Sequence, residues 1–427
     1  MADVSVGIIG MGDMGKMYAR RISAAGWRVN ACDVPEKHEA LMEEFADSAN
    51  VNIMPNGHLV SRSSDYIIYS VEAKKIDEVV AKFGPSTKLG AVVGGQTSCK
   101  APEIAAFERH LPTDVQIVSC HSLHGPGVNP HGQPLVIIQH RASNESVERV
   151  KKILSCLGSN YVYLSAAEHD RITADTQAVT HAAFLSMGAA WAANKQFPWE
   201  IARYIGGIEN VKINVTLRIY ANKWHVYAGL AILNPSAQQQ IKQYAQSVTE
   251  LFKLMLGGHR EELTQRIKTA GAAVFPEDTL GDLLLRDEVL DRFSLGELPP
   301  ERVRNNHLSL LAMVDSWWKL GIVPYRHQIC STPLYRMWLG ITEYLFRNPE
   351  LLQECIDTAI DDNTFRADDL EFTFAARDWS ERVSFGNMDG YREKFEQIQQ
   401  YFAPRFPEAT RLGNEMIKTI LEKTRET

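Results

Sequence analysis

VSVGIIGMGDMG, residues 4–15, decides the fold. Residues 4–9 are a short apolar run rich in β-branched side chains, the pattern of a strand buried on both faces of a parallel sheet. GMGDMG follows at once and places Gly10, Gly12 and Gly15 in the GxGxxG spacing. The first glycine permits the tight turn, the second lets a pyrophosphate approach the backbone, and the third packs helix on strand. A helix is predicted over 16–25, with its first N–H groups aimed at the phosphates. Gly10, Met11, Gly12, Asp13, Met14 and Gly15 are therefore the candidate dinucleotide loop. WRVNACD (27–33) reads as the second strand. It ends at Asp33, about 20 residues on, where a carboxylate can bind a ribose 2′-hydroxyl.

Working outward, the strand–helix alternation continues. DYIIYSVE (65–72), LGAVVGG (89–95), VQIVSCH (115–121) and PLVIIQH (134–140) read as strands, and AKKIDEVVAKF (73–83) and KAPEIAAFERH (100–110) as helices. This predicts an α/β Rossmann fold, a doubly wound parallel sheet whose ligands lie beyond the carboxyl ends of the strands. Ser70, Val71 and Glu72 end one strand there. Gln96, Thr97 and Ser98 follow another, and His121 is expected as the last residue of a third. From about residue 172 the strand pattern stops. ITADTQAVTHAAFLSMGAAWAANK (172–195) reads as one long buried helix, and VTLRIYANKWHVYAGLAI (215–232) as another. SAQQQIKQYAQSVTELFKLML (236–256), HLSLLAMVDSWWKL (307–320), STPLYRMWLGITEYLF (331–346), NPELLQECIDTAI (348–360) and FPEATRLGNEMIKTILEK (406–423) follow as helices, and GELPPERVRNN (296–306) as a polar loop. The expected division is a nucleotide-binding domain over 1–168 and an all-α C-terminal domain over 169–427.

Composition limits the alternatives. The 427 residues are 45% hydrophobic and 23% charged, with a formal net charge of -7, as in an ordinary globular protein. The mild acidity argues against a nucleic-acid partner. Six scattered cysteines without a CxxC pair read as reduced thiols. No secretory leader is visible, and the least polar stretch, 172–193, carries Asp175, Gln177 and His181, so no membrane span is expected and a cytoplasmic location is.

HSLHGP (121–126) holds two histidines three apart, with His131 shortly after. A metal site would need both rings convergent and a third ligand, and no carboxylate lies within the loop. His124 and His131 read as loop histidines bonded to backbone. His121 differs, because its strand end points into the coenzyme crevice. A neutral imidazole there can take a proton from a hydroxyl while hydride leaves the attached carbon.

GIIGMGDMG, NGHLVSRSSDYIIYSVE, VGGQTSCKAPEIAAFE, HSLHGP, ITADTQAVTHAAFLSMG and NKWHVYAGLAILNPSA together carry a resemblance. Over nearly its whole length the chain is similar to the prephenate dehydrogenases, in their fungal form. The resemblance implies oxidation of prephenate with loss of its ring carboxylate, giving 4-hydroxyphenylpyruvate, carbon dioxide and reduced coenzyme in tyrosine biosynthesis. It implies that His121 is the catalytic base and that Ser98, in the S-x-K context of Ser98–Lys100, is the active-site serine. Ser98 also has the plain reading of a helix N-cap. Gln177 and His181, four apart on one helix face, match substrate-side positions. A carboxylate-binding cation is expected from a later helix, with Arg218 the candidate and Lys223 and His225 nearby. The resemblance implies NADP, whereas Asp33 favours NAD, since a carboxylate repels a 2′-phosphate; Lys37 and His38 offer compensating charge. A homodimer through the helical domain and tyrosine inhibition at the substrate pocket are implied as well. Arogenate dehydrogenase is the nearest alternative, and a nicotinamide-binding regulator that would not need His121 is a second. A hydroxy-acid dehydrogenase with a catalytic lysine in the first long helix fits poorly, because only Lys195 is present, at the far end.

Overall fold

The computed structural model describes residues 4–276, 290–326 and 332–423. Ser331, at the start of one expected helix, and Cys330 lie outside the described residues. The chain forms two compact units, Met1–Thr173 and Ala174–Thr427.

The first unit is an eight-stranded sheet in the order β3-β2-β1-β4-β5-β6-β7-β8. The strands are β1 (Ser5–Ile9), β2 (Arg28–Cys32), β3 (Val51–Ile53), β4 (Tyr66–Tyr69), β5 (Val92–Gly95), β6 (Gln116–Ser122), β7 (Pro134–Arg141) and β8 (Asn160–Tyr163). Helices α1 (Asp13–Ala24), α2 (His38–Glu44), α3 (Gly57–Ser63), α4 (Ile76–Phe83), α5 (Lys100–His110), α6 (Asn144–Leu154) and α7 (Ala166–Thr173) accompany them. Val6, Ile8, Ile67, Ile68, Val92 and Val93 are fully buried, as strands covered on both faces require. β1, β2, β4, β5 and β6 are parallel, so their carboxyl ends share one edge of the sheet.

Three expectations change. β7 runs antiparallel to β6, because the link 123–133 is too short for a helical crossover. β6 extends to Ser122, which makes His121 its penultimate residue rather than its last. α1 begins at Asp13, three residues before the expected start, with Gly12 as its N-cap.

The second unit is helical throughout its described residues. A π turn, Ala174–Ala178, leads into α8 (Val179–Ala193). α9 (Ile208–Tyr220) and α10 (Trp224–Ile232) replace the single helix expected over 215–232, the break falling at 221–223. Then follow α11 (Pro235–Leu256), α12 (Arg260–Val274), α13 (Leu308–Leu320), α14 (Pro333–Phe346), α15 (Pro349–Asp361), α16 (Arg366–Ser384), α17 (Met388–Phe402) and α18 (Phe406–Lys423). Thr332 and Asn348 cap α14 and α15 through their side chains, each ahead of a proline at the first helical position. Trp317, Trp338 and Trp379 are fully buried in this unit's core. Among the described residues, no helix is long and apolar enough to cross a membrane.

Candidate active site

β1 runs into Gly10, whose φ of +102° is open to glycine and strained for other residues. A Cβ built there would lie 2.3 Å from the Ser70 carbonyl oxygen and 2.9 Å from Val71 Cγ1, so the turn and the end of β4 fit only without a side chain. At Gly15 a Cβ would lie 2.1 Å from the Gly10 carbonyl oxygen, which lets α1 close on the turn. Gly12 is the opposite case: nothing lies within 4 Å of its built Cβ. As N-cap it also gives α1 no side-chain cap. The loop of Gly12, Asp13 and Met14 therefore has both the room and the helix N-terminus that a pyrophosphate needs.

Asp33 lies just past β2, but its carboxylate is already engaged. Oδ2 accepts the Met11 N–H at 2.9 Å, Oδ1 accepts the Val34 N–H at 2.7 Å, and Lys37 Nζ approaches Oδ2 at 3.2 Å. The side chain of Asp33 is 11% exposed and that of Lys37 55%. The acid thus braces the glycine loop, while its neighbouring ammonium faces solvent. Next along the edge, the Ser70 hydroxyl donates to Gln96 Oε1 at 2.8 Å. Glu72 stands at the start of the 3-10 turn Ala73–Lys75.

His121 is buried on β6. Its Nδ1 lies 2.8 Å from His169 Nε2, and His169 Nδ1 lies 2.9 Å from Asp170 Oδ1. Both partners sit on α7 and are buried. Burial pushes the His121 imidazolium well below its ordinary range, with His169, Lys100 and His124 adding to the effect. Burial likewise lowers His169, although the hydrogen bond to Asp170 opposes it. Burial alone would raise Asp170, but the hydrogen bonds from His169, Lys100 and Ala101 outweigh it and hold the carboxyl below the usual range. His121 and His169 are neutral and Asp170 is ionised.

Asp170 also begins α5. Its Oδ1 accepts the Lys100 N–H and its Oδ2 the Ala101 N–H, each at 2.7 Å. The N-cap position is Cys99, with no side-chain cap of its own. The capping reading of Ser98 is thereby overturned, and its half-buried hydroxyl has no part in the cap. Lys100, the lysine of the S-x-K context, points the other way. It is wholly buried with Glu103 at 2.9 Å and donates to the carbonyls of Gly95 and Cys120 at 3.3 and 2.8 Å. Removing one partner of such a pair typically costs about 3–5 kcal/mol, so Lys100 holds the loop between β5 and α5 in place. His124 bonds the Gly125 carbonyl through Nδ1 at 2.9 Å, as a loop histidine.

In the second unit, Gln177 lies in the π turn and His181 in the first turn of α8. Gln177 Nε2 and His181 Nδ1 are buried without a hydrogen-bond partner among the described residues. Burial pushes His181 down to about 4, so its ring is neutral. It packs edge-on against Tyr227 at 4.9 Å, and the Tyr227 hydroxyl accepts from Asn222 at 3.1 Å. Arg218 on α9 is half-buried and donates to Asn414 of α18. Burial lowers its pKa, with Tyr227 opposing. His181, Tyr227 and Arg218 thus form one neighbourhood, whereas Lys223 is exposed. His169 and Asp170 are the site residues that reading the sequence missed. Their only signal was a histidine and an aspartate side by side just ahead of the long apolar helix.

The match to known proteins follows the same division. Residues 178–422 match the 6-phosphogluconate dehydrogenase C-terminal domain, and residues 5–93 the NADP oxidoreductase, coenzyme F420-dependent family. The chain is 61% identical, over 98% of its length and 97% of the relative's, to a probable NADP(+) prephenate dehydrogenase of Schizosaccharomyces pombe. It is 57% identical, over 97% and 94%, to the NADP(+) prephenate dehydrogenase of Saccharomyces cerevisiae. Among solved structures, that of Aquifex aeolicus prephenate dehydrogenase with hydroxyphenyl propionate and NAD+ superposes with a TM-score of 0.50 at 18% identity, over 62% of this chain and 95% of that one, a likeness of fold.

Proposed function

The chain belongs to the NADP(+)-linked prephenate dehydrogenases, and on that premise we propose how its residues share the reaction. The protein oxidises prephenate to 4-hydroxyphenylpyruvate, with release of carbon dioxide and formation of NADPH. The coenzyme supplies the hydride acceptor. Gly10, Met11, Gly12, Asp13, Met14 and Gly15 hold its pyrophosphate, while Ser70, Val71 and Glu72 border it along the strand ends. His121 accepts the proton of the substrate's 4-hydroxyl as hydride leaves the same carbon, and departure of the ring carboxylate then makes the ring aromatic. Ser98, relieved of capping, hydrogen-bonds that hydroxyl. Gln177, His181 and Arg218 contact the substrate from the helical unit, Arg218 by pairing with a carboxylate. The observation that carries the assignment is the buried, neutral imidazole of His121 at the carboxyl edge of the sheet, with Nδ1 committed to His169 and Nε2 left for the substrate. We further propose that the helical unit forms a homodimer and that tyrosine, the product-like amino acid, competes at the substrate pocket.

The inward engagement of Asp33 supports NADP. A carboxylate committed to Met11 and Val34 is a weak 2′-hydroxyl acceptor, and Lys37 beside it offers charge to a 2′-phosphate. Purified protein should reduce NADP with prephenate in preference to arogenate. Lys37→Ala should raise KM for NADP about tenfold with kcat kept, narrowing the preference over NAD. A substitution that moves both coenzymes equally would remove Lys37 from the 2′-phosphate site.

The pH dependence has a definite sign. His121 must be neutral to accept a proton, and its pKa is depressed, so lowering the pH through the ordinary histidine range leaves the base unprotonated. kcat/KM for prephenate should stay flat from about pH 8 down past about 6.5, the ordinary histidine value. A fall centred near that value would mean a solvated base instead.

A further inference from the structure

The His121–His169–Asp170 chain permits one arrangement of protons. Asp170 is acceptor-only, since its carboxylate receives the N–H groups of Lys100 and Ala101. A lone pair on His169 Nδ1 would face that carboxylate at 2.9 Å, a repulsive contact, so Nδ1 carries the proton. A neutral His169 then presents a lone pair at Nε2. Across the 2.8 Å contact His121 Nδ1 must be the donor, and the lone pair of His121 falls on Nε2. The Thr173 hydroxyl, 3.4 Å from the same His169 nitrogen, is also placed to donate. All of these groups are buried, so water cannot substitute for a missing partner.

We infer that His169 and Asp170 are positioning residues for the reaction. Together they hold His121 in the tautomer whose Nε2 is free to accept the substrate proton, and the same carboxylate of Asp170 fixes the start of α5 immediately after Ser98. One acid therefore aligns the base and the serine from behind. A free imidazole in water has no such constraint, and each ring nitrogen can carry the proton. The inference rests on the assignment of His121 as base, and the experiment separates the two.

The test uses protein labelled with 15N in histidine, the His121 resonances being identified by their loss in His121→Asn. Two-bond 1H–15N correlations then report which His121 nitrogen carries hydrogen. The expected result for the unaltered protein is a proton on Nδ1. His169→Phe keeps ring volume but offers no acceptor. It should shift His121 toward the Nε2–H form and lower kcat about 100-fold, with KM for prephenate changed less than about threefold. His169→Gln restores an acceptor near the Nε2 position and should return kcat to within about tenfold of the starting value. A proton on Nε2 in the unaltered protein overturns the inference, whatever the variants do. Equal impairment of the Phe and Gln variants, or kcat within about threefold for Phe, also overturns it. Should the Phe variant fail to fold, the tautomer of the unaltered protein still decides. Persistence of turnover in His121→Asn would instead defeat the assignment of the base.

Discussion

Replacing His121 with Asn is expected to cut kcat for prephenate about a thousandfold while leaving NADP affinity within a factor of about three. A positioned general base contributes roughly 100- to 10,000-fold, and here no second base stands ready. His169 is committed to His121 and Asp170, and His124 to the Gly125 carbonyl. Asparagine preserves a polar side chain of similar reach that can donate to His169 Nε2, so the fold of β6 should survive. Coenzyme binding by fluorescence and initial rates with prephenate provide the two readings. Turnover within about tenfold of the unaltered protein would make the imidazole dispensable and would bring the non-catalytic regulator forward.

Two glycines of one motif should fail in opposite ways. Gly12→Val puts a side chain where the built Cβ meets nothing within 4 Å, so stability should change little beyond about 1 kcal/mol for a poorer N-cap. Coenzyme affinity should fall about 100-fold, because the added methyls occupy the approach to the helix N-terminus. Gly10→Ala should do the reverse damage. Its Cβ meets the Ser70 carbonyl at 2.3 Å on a backbone with φ of +102°, and β1 and β4 must part to admit it. Strain of this kind costs on the order of 1–3 kcal/mol before the clash is counted. Calorimetry beside coenzyme titration distinguishes the two, and a Gly12→Val protein that binds NADP normally would move the pyrophosphate elsewhere.

The first βα unit was legible in the sequence because glycines at fixed spacing carry a geometric demand that few other structures share. Asp33 was legible as a position but not as a contact. That its carboxylate turns onto Met11 depends on the loop's path, and no spacing encodes it. The direction of β7 was hidden for a related reason: an apolar run announces a buried strand without saying which way it runs. The break at 221–223 went unread because apolar residues on both sides sustain a helical pattern through a short polar interruption. His121 could be found from its strand end, whereas His169 and Asp170 belong to a different element 48 residues further on, and only folding brings the first of them against His121.

The strand order has a consequence for how this enzyme can change over evolutionary time. The residues that choose between coenzymes sit at the end of β2, and the base sits on β6, with β1, β4 and β5 between them. Four inter-strand steps amount to about 19 Å, far beyond the range over which substitutions usually influence one another's effects. A lineage can therefore exchange one nicotinamide coenzyme for another by editing the β2 turn, and leave its chemistry intact on a hairpin that takes no part in the choice.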